Sequence, residues 1–381
     1  MQLINMKTLW ISAEEALSRL GSKRQTLYAN VSRGRIRAKP DPADPRRSLY
    51  QADDVERLAE RHAGRRQAAV VAAGAIRWGD PVLQTTISSI ADGQLYYRGQ
   101  EATALSMDAT LEEAATLLWQ LPETVAVSAG DEGAGRSRLS TTLALLAGRI
   151  EGDLPALGRR PAVLRSEAVE VLSTVAAGLA PSLRSLPLHL RLAEGWGRPQ
   201  AAEPIRRCLV LSAEHELNVS AFAARVTASS GAALSAATLS GLATLTGPRH
   251  GGAWLSVTRL AEQAASAGVR EAIRDMLASD GLVRAFGHRL YPQGDPRAKA
   301  IMASFDVPPL YTALAAAGED LLGEPANIDF AFAALAAAFD LPEDAPLVIF
   351  ALARTVGWLA HAMEQVESGE LIRPRAHYTG C

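Results

Sequence analysis

Over residues 1–61, apolar positions at helical spacing alternate with short β-prone runs. Ser12–Glu15 forms a capping box ahead of the first apolar stripe, and Gly21 follows that stripe, so a helix is predicted between them. A second capping box begins at Ser22 and predicts a helix that ends near Gly34. Two short helices joined by so tight a turn are typical of a helix-turn-helix.

Strand-like runs follow these two helices. Arg35–Arg37 and Leu49-Tyr50 each predict a strand, and the prolines of residues 40–47 predict the loop between them. Asp53 begins a further predicted helix that reaches about Arg61. This order resembles the small winged helix-turn-helix domains of excisionases and of mercury-resistance-type regulators. In those domains the second helix enters the DNA major groove and the hairpin wing touches the backbone.

The resemblance implies a set of candidate DNA-contacting side chains on the second helix and the wing: Lys23, Arg24, Gln25, Tyr28, Arg33, Arg35 and Arg37. Residues 1–68 hold 14 basic and 8 acidic residues, a net charge of +6, and the remainder carries −8. This asymmetry favours two modules with different partners. A solvated basic face on a packing module remains an open alternative, because a basic patch alone is a weak signal.

Beyond residue 87 the pattern changes to one hairpin followed by helices. Asp92-Gly93 between β-prone runs predicts a hairpin turn. A capping box at Thr110, an Ala/Leu-rich stretch over residues 205–246 and the apolar residues 347–366 all predict helices. The fold class is therefore predicted to be all-α, preceded by the small winged helix-turn-helix domain.

Composition adds limits to this pattern. The chain has 381 residues, 48% of them hydrophobic and 21% charged, which is ordinary for a soluble globular protein of two or three domains. Cys208 and Cys381 indicate neither a disulfide framework nor a metal site, so a reducing cytoplasm is expected. We identify no signal peptide and no run of the roughly 20 apolar residues that a membrane span needs, so no membrane partner is expected.

Three segments place ionisable groups beside turn residues. His250 lies among glycines and a proline at a predicted helix start, which disfavours the imidazolium form and leaves a neutral donor. His288 lies beside glycine, close to arginines that suit carboxylate binding. Asn327 is predicted to cap a helix whose first turn contains Asp329. Taken singly, each segment also has a purely structural explanation, as a capping group, a surface loop or a stabilising first-turn carboxylate.

Taken together and in this order, the segments resemble the signatures of the citrate synthase family. The matching segments are the hairpin at Asp92-Gly93, Glu214–Asn218, Ala223–Ser229, Gly247–Gly252, Gly287–Tyr291, Asp295–Ala298, Ala353–Trp358 and Arg373–Arg375. The resemblance implies an all-α fold with a large dimer-forming domain and a smaller domain that closes on substrate. The expected boundaries are 1–68 for the winged helix-turn-helix domain, 69–250 with 342–381 for the large domain, and 251–341 for the small domain.

In this family acetyl-CoA condenses with oxaloacetate to give citrate and CoA. The resemblance implies that Asp329 removes a methyl proton, that His250 hydrogen-bonds the thioester oxygen, and that His288 acts as an acid towards the ketone. The substrate-binding residues it implies are His215, Asn218, Arg297, Arg354 and Arg373, the last reaching the neighbouring site of a homodimer. No metal and no bound cofactor is implied, because acetyl-CoA is a substrate.

Two departures and three alternatives accompany the resemblance. Glu214 stands where the family usually has aspartate, and Phe330-Ala331-Phe332 follows Asp329 where Tyr-Ser-Gly is more frequent. One alternative is a 2-methylcitrate synthase that uses propionyl-CoA, since one methyl group gives only modest discrimination. Another is a DNA-binding regulator whose synthase-like body senses CoA thioesters. In the third, the N-terminal module only packs on the body and aids assembly.

Overall fold

The structure, a computed structural model, describes most of the chain. The described residues are 10–21, 24–32, 35–42, 44, 46–56, 83–130, 137–376 and 378. The chain divides into two compact units, residues 1–84 and residues 85–381. The domain boundary predicted at residue 68 and the helix end predicted near Arg61 lie outside the described residues.

Among its described residues, the N-terminal unit combines two helices of eight and nine residues, and helical residues 52–56, with a three-stranded antiparallel sheet. The helices are α1 (Ala13–Leu20) and α2 (Arg24–Ser32), and the central strand β3 (Ser48–Gln51) pairs with both β1 (Trp10–Ile11) and β2 (Ala38–Pro40). These elements pack around a small apolar core: Ile11, Ala16, Leu20, Leu27, Ile36, Tyr50, Ala52 and Val55. The assignment of this unit to the winged helix-turn-helix class stays a prediction.

Local signals in this unit are partly confirmed. Ser12 caps α1 by accepting a hydrogen bond from Glu15 N, and Gly21 ends the helix in the left-handed conformation. The strand predicted at Arg35–Arg37 is wrong, because pairing begins only at Ala38. Arg35 N still donates to a carbonyl of the preceding helix, so these residues form the bend that leaves it.

The second unit begins with the predicted hairpin. The strands β4 (Ser88–Ala91) and β5 (Gln94–Tyr97) pair antiparallel, and β6 (Gln100–Glu101) adds to β5. Asp92 and Gly93 form the two-residue turn with φ of 51° and 74°, the geometry that a type I′ turn requires. The hairpin prediction is therefore confirmed.

The rest of the described unit is mostly helical, as predicted. Its helices are α3 (Ala102–Asp108), α4 (Leu111–Trp119), α5 (Arg138–Gly152), α6 (Pro161–Leu179), α7 (Leu188–Gly195), a 3₁₀ turn at Pro199–Ala201, α8 (Ala202–Ser212), α9 (Val219–Ser229), α10 (Leu234–Leu245), α11 (Trp254–Ala267), α12 (Val269–Asp280), α13 (Pro296–Met302), α14 (Pro309–Leu322), α15 (Ile328–Phe339) and α16 (Ala345–Ser368). The capping box predicted at Thr110 is present at the start of α4.

The helical stretch predicted over residues 205–246 is confirmed as helical, and the structure divides it into α8, α9 and α10. The chain leaves the helical conformation between α8 and α9, where Glu216 has a φ of 50°. Asn218 then starts α9, because its side-chain oxygen accepts hydrogen bonds from the backbone N–H groups of Ser220 and Ala221. Composition favoured helix throughout, but one capping side chain and one left-handed residue are enough to interrupt it.

Two apolar cores organise this unit, and α15 contributes to both. The larger core contains most of the buried face of α16, together with Ala331 and Phe332 of α15. The second core is built from residues between 257 and 334 and takes Phe330 from the same helix. The helix that carries Asp329 in its first turn therefore lies between the two cores. The predicted limits of the small domain, 251 and 341, remain a prediction.

Within the described residues, α16 alone is long and apolar enough to cross a membrane by length and composition. Its apolar window is 89% buried inside the protein, as expected for a core helix. The sequence pattern of this helix is thus explained by packing.

Candidate active site

The interruption between α8 and α9 is held in place by one face of α16. Trp358 and His361 follow Arg354 by four and seven residues, so the three side chains lie along one face of the helix. Trp358 Nε1 donates to Ser220 Oγ at 3.0 Å, and His361 Nε2 lies 3.0 Å from Glu214 Oε1. The turn that carries His215 is therefore fixed by a buried helix.

Hydrogen bonds define the tautomer of His361. Arg225 Nη1 donates to His361 Nδ1 at 3.2 Å, so the ring proton is on Nε2 and is donated to Glu214. Ser88 Oγ also donates to Glu214 Oε1 at 3.0 Å. A Cβ added at Gly357 would lie 2.3 Å from Glu214 Oε2, so glycine leaves the room that the longer acidic side chain needs.

His250 lies in the turn before α11 and contacts α9. Its Nε2 is 2.8 Å from Ser220 Oγ, and its ring meets the Phe350 ring edge to face at 6.0 Å. Burial, and then the positive charge of Arg354, lowers the pKa of His250 to about 4. The ring is neutral at pH 7, as predicted, but the cause differs, because α11 begins four residues later and burial dominates.

A second group of rings joins His215, His288 and Tyr291. The His215 Nε2 atom is 2.9 Å from the Tyr291 hydroxyl, and the His215 and His288 ring centroids are 5.2 Å apart. Leu290 N donates to His288 Nδ1 at 3.2 Å, which leaves the ring proton of neutral His288 on Nε2.

Burial dominates the protonation of this group as well. It lowers the pKa of His288 to about 4, with Arg297 acting in the same direction and Asp295 opposing. The pKa of His215 falls well below its ordinary value through burial and through the charges of Arg297 and Arg354. Both rings are therefore neutral donors or acceptors at pH 7.

Two buried arginines lie near these rings and differ in their hydrogen-bond partners. Arg297 is bound by Asp295 through Nε at 3.0 Å and Nη2 at 2.8 Å, and its guanidinium lies 5.2 Å from the Tyr291 ring centre. Arg354 lies over Phe350 at 4.8 Å, and its buried Nε and Nη1 have no hydrogen-bond partner among the described residues. Burial lowers the pKa of Arg354 to about 10, so it keeps its charge at pH 7. Arg354 therefore offers two donors to an anionic ligand.

Asp329 occupies the first turn of α15, and Asn327 caps that helix as predicted. Asn327 Oδ1 accepts from Asp329 N at 3.1 Å, while its Nδ2 donates to the carbonyls of Arg284 and Gly287. Part of the Asp329 residue stays accessible, yet burial raises the pKa of its carboxyl to about 7, with Arg297 opposing and Asp295 reinforcing the shift. Burial outweighs the stabilisation that a helix start gives to a carboxylate.

The backbone ties the Asp329 helix to the His288 turn. Gly287 N donates to Pro325 O at 2.9 Å, and Asn327 N donates to Ala285 O at 3.0 Å. Together with the Asn327 side chain, these bonds join residues 284–287 to residues 325–327. His288 and Asp329 thus belong to one hydrogen-bonded structure.

Comparisons with known proteins identify the family of the chain. The family model described as "Citrate synthase, C-terminal domain" matches residues 166–375. The chain belongs to the citrate synthase family.

Individual citrate synthases resemble the chain over different lengths. A curated citrate synthase from Haloferax volcanii is 38% identical over 191 residues, which is 47% of this chain and 50% of that protein. The chain spans about half the length of this and similar curated relatives. The crystal structure of citrate synthase from Thermotoga maritima is 26% identical, with a TM-score of 0.62 over 80% of this chain and 94% of that one.

A further structural neighbour supports the fold alone. Citrate synthase from Thermoplasma acidophilum, described as a ternary complex with carboxymethyl coenzyme A and oxaloacetate, has a TM-score of 0.65 at 21% identity, covering 79% of this chain and 94% of that chain. The citrate synthase fold of the second unit is thus found in proteins of low sequence identity.

Not every predicted site residue belongs to this cluster. Asn218 uses Oδ1 to cap α9, and its Nδ2 lies 3.4 Å from the His215 carbonyl. Arg373 is exposed in the non-helical segment after α16, and among the described residues nothing joins it to the histidines. The structure brings together His215, His250, His288, Arg297 and Arg354, and Asp329 joins this cluster through the charge of Arg297 and the bonds that tie its helix to the His288 turn.

The candidate DNA-contacting residues lie in the separate N-terminal unit. Arg24, Gln25 and Arg35 are exposed, and Tyr28 is 55% exposed. Arg37 is engaged by Asp54 through Nε at 2.8 Å and Nη2 at 3.1 Å. Lys23 and Arg33 lie outside the described residues.

Sequence reasoning missed several residues that shape the citrate synthase site. Tyr291 binds His215, Ser220 binds His250, and Phe350 contacts both His250 and Arg354. Tyr291 and Ser220 lie within or next to recognised motifs, so their proximity was a usable signal. Nothing local marks Phe350, because only tertiary packing brings its helix face against His250.

Proposed function

We propose that the protein is an acyltransferase of the citrate synthase type, which condenses acetyl-CoA with oxaloacetate and water to give citrate and CoA. The observation that supports this most directly is Arg354, a buried cation with two unpartnered donors beside neutral imidazoles. Such a site suits a small dianion that also carries a ketone. Oxaloacetate, one of the two ligands named for the Thermoplasma relative, has this chemistry.

In the first step Asp329 removes a proton from the thioester methyl group while His250 donates a hydrogen bond to the thioester oxygen. A carboxyl with a pKa of about 7 is matched to a base that works near neutral pH. The thioester becomes an enolate, whose oxygen the neutral His250 stabilises through a hydrogen bond without a full proton transfer.

Ser220 supports the required tautomer of His250. The Ser220 hydroxyl has two acceptors within reach, Asn218 Oδ1 at 2.7 Å and His250 Nε2 at 2.8 Å. Asn218 Oδ1 also accepts backbone hydrogen bonds from Ser220 N and Ala221 N, so the hydroxyl proton is free to turn to His250. Trp358 Nε1 donates to the same Ser220 oxygen. When the hydroxyl proton is directed at His250 Nε2, the ring proton resides on Nδ1 and can be donated to the thioester.

In the second step the enolate carbon attacks the ketone carbon of oxaloacetate. His288, with its proton on Nε2, donates to the ketone oxygen as it becomes a hydroxyl. Arg354 and Arg297 bind the carboxylates, and His215 orients the ketone. Water then hydrolyses the citryl thioester and releases CoA, which drives the reaction forward. Closure of the small domain would exclude bulk water until this stage.

The test is release of free thiol from acetyl-CoA in the presence of oxaloacetate, repeated with propionyl-CoA. We expect thiol release that depends on both substrates, without added metal or cofactor. Folded protein that releases no thiol with either acyl donor would contradict the proposal and favour the thioester-sensing regulator. That alternative has less support, because a sensor does not need a carboxyl such as that of Asp329, whose pKa is about 7.

We also propose a homodimer in which Arg373 serves the neighbouring site. Its exposure in the segment after α16 supports this role, since an exposed arginine is available to a neighbouring subunit. Mixing and refolding inactive Arg373→Ala with inactive Asp329→Asn protein should restore activity, because one mixed site then contains both wild-type residues. Absence of recovery from confirmed mixed dimers would contradict the role of Arg373.

For the N-terminal unit we propose DNA binding through exposed Arg24, Gln25, Tyr28 and Arg35, in a cytoplasmic protein. Arg37 would take part mainly by positioning the hairpin, because Asp54 holds its guanidinium. A mobility-shift titration at several salt concentrations tests this, and we expect affinity to fall steeply with salt. Affinity that is absent or insensitive to salt would favour a module that only packs.

A further inference from the structure

One face of α15 carries both the proposed base and a large aromatic ring. Phe332 lies three residues after Asp329, so the two side chains are neighbours on the same helix face. Phe332 is 3% exposed and belongs to the larger core. Phe330 faces the second core instead, where its ring meets Phe286 at 5.7 Å and Tyr311 at 5.5 Å.

The Phe332 ring connects the helix of the base to the surroundings of His250. It meets Phe350 edge to face at 6.0 Å. Phe350 in turn meets His250 at 6.0 Å and supports the Arg354 guanidinium at 4.8 Å. Phe332 and Phe350, the aromatic pair, therefore connect the helical turn that contains Asp329 with the imidazole of His250.

The proposed chemistry places the acyl group beside this pair. The reacting carbon must come within about 3 Å of the Asp329 carboxylate while the thioester oxygen reaches His250. Any additional carbon on the acyl group needs space among the side chains that line this position. The Phe332 ring is held from behind by the larger core, so it cannot move aside without disturbing that packing.

We infer that Phe332, backed by Phe350, is the wall that restricts the acyl group to acetyl and disfavours propionyl. This inference rests on the proposed function and decides between its acetyl-CoA and propionyl-CoA forms. One methyl group in an apolar pocket changes specificity by about 10- to 200-fold, so a single ring is sufficient to set this preference. The aromatic side chain of Phe332 would also explain why Phe330-Ala331-Phe332 follows Asp329 here, where Tyr-Ser-Gly is more frequent in the family.

The test compares Phe332→Leu with Phe330→Leu. Both variants remove the same atoms from the same helix, two positions apart, but only the first opens the side that faces Phe350. The readout is the ratio of kcat/KM for propionyl-CoA to that for acetyl-CoA, with oxaloacetate as the second substrate. This ratio does not depend on how much of a preparation is active, so lost stability does not distort it.

We expect Phe332→Leu to raise the ratio at least about tenfold and Phe332→Ala to raise it further, while Phe330→Leu leaves it near the wild-type value. Competition between the two thioesters in one tube, with both products quantified by mass spectrometry, gives the same ratio from small amounts of folded protein. Equal ratios for wild type, Phe332→Leu and Phe330→Leu would overturn the inference while leaving the synthase activity intact. A wild-type protein that turns over neither thioester would instead remove the proposed function, and this inference with it.

Discussion

The starts of α13 and α15 each carry an aspartate, and the pKa values of the two carboxyls are shifted in opposite directions. At α13, Asp295 is itself the cap and is held by Arg297 through two side-chain bonds, so its pKa is lowered although burial opposes the shift. At α15, Asn327 performs the capping, and burial raises the pKa of Asp329 to about 7. Position in a helix therefore does not decide the charge of a carboxyl.

The difference shows how the same residue type serves structure in one place and chemistry in another. A carboxylate with a fixed cationic partner remains ionised and rigid, which suits the positioning of Arg297. A carboxyl relieved of the capping task and shielded from water is able to exchange a proton near pH 7. The ion pair with Arg297 is what separates these two situations.

The largest effect is expected from Asp329→Asn. Removal of the base should lower kcat by about 10²- to 10⁴-fold in the thiol-release assay, because proton abstraction then has no positioned acceptor. Asp340 is a suitable control, because it ends the same helix in the left-handed conformation and its side chain is 91% exposed. Asp340→Asn should keep wild-type activity, and equal losses in both variants would show that the helix rather than the carboxyl is needed.

The second effect is on the stability of the protein and is expected from removal of Asp295. Asp295→Ala leaves the buried Arg297 guanidinium without its partner, and we expect a loss of about 3–5 kcal/mol in the free energy of unfolding by urea. Asp306, which is exposed, is the control, and Asp306→Ala should change stability by less than about 0.5 kcal/mol. A loss for Asp295→Ala as small as the control would mean that the pair contributes little.

The third effect is a dependence on pH in which kcat/KM rises with pH while the contribution of Asp329 to the free energy of unfolding falls. Since the base must be ionised, kcat/KM should fall about tenfold for each pH unit below the pKa of Asp329, which is about 7. The raised pKa means that the folded protein favours the protonated carboxyl. Its contribution to stability is complete below the ordinary value of 3.8 and is lost as the pH rises through about 7.

Activity profiles and urea unfolding between pH 5 and 9 measure the two halves of this prediction. Asp329→Asn should abolish the stability change across neutral pH. An activity profile that stays flat down to pH 5 would contradict the assignment of Asp329 as the base.

The smallest effect is expected from Asn327→Ala, which removes the cap of α15 and should cost about 1–2 kcal/mol of stability. Activity should also fall, because Asn327 joins the Asp329 helix to the carbonyls of Arg284 and Gly287 beside His288. Ser137 caps α5 away from this cluster, so Ser137→Ala should lower stability without lowering kcat. Similar kcat losses in both variants would contradict a positioning role for Asn327.

Much of the local structure was predictable because its causes lie within a few residues. The Asp92-Gly93 turn, the Thr110 capping box and the Asn327 cap were each predicted from adjacent residues and are present. The break before α9 was missed, because helix-favouring residues surround it and only the Asn218 side chain reveals it. The order of the sequence motifs also predicted His250, His288 and Asp329 as site residues, although each of them alone had a structural explanation.

By itself, the sequence determined the helical class of the body, the caps and the residue types that the proposed chemistry needs, since helix periodicity, turn chemistry and motif order are properties of short stretches. Tertiary structure alone decided which carboxyl is charged, which of Phe330 and Phe332 faces the larger core, and which arginine keeps open donors. The physical reason is that desolvation and ion pairing depend on atoms distant in sequence, and only folding brings those atoms together.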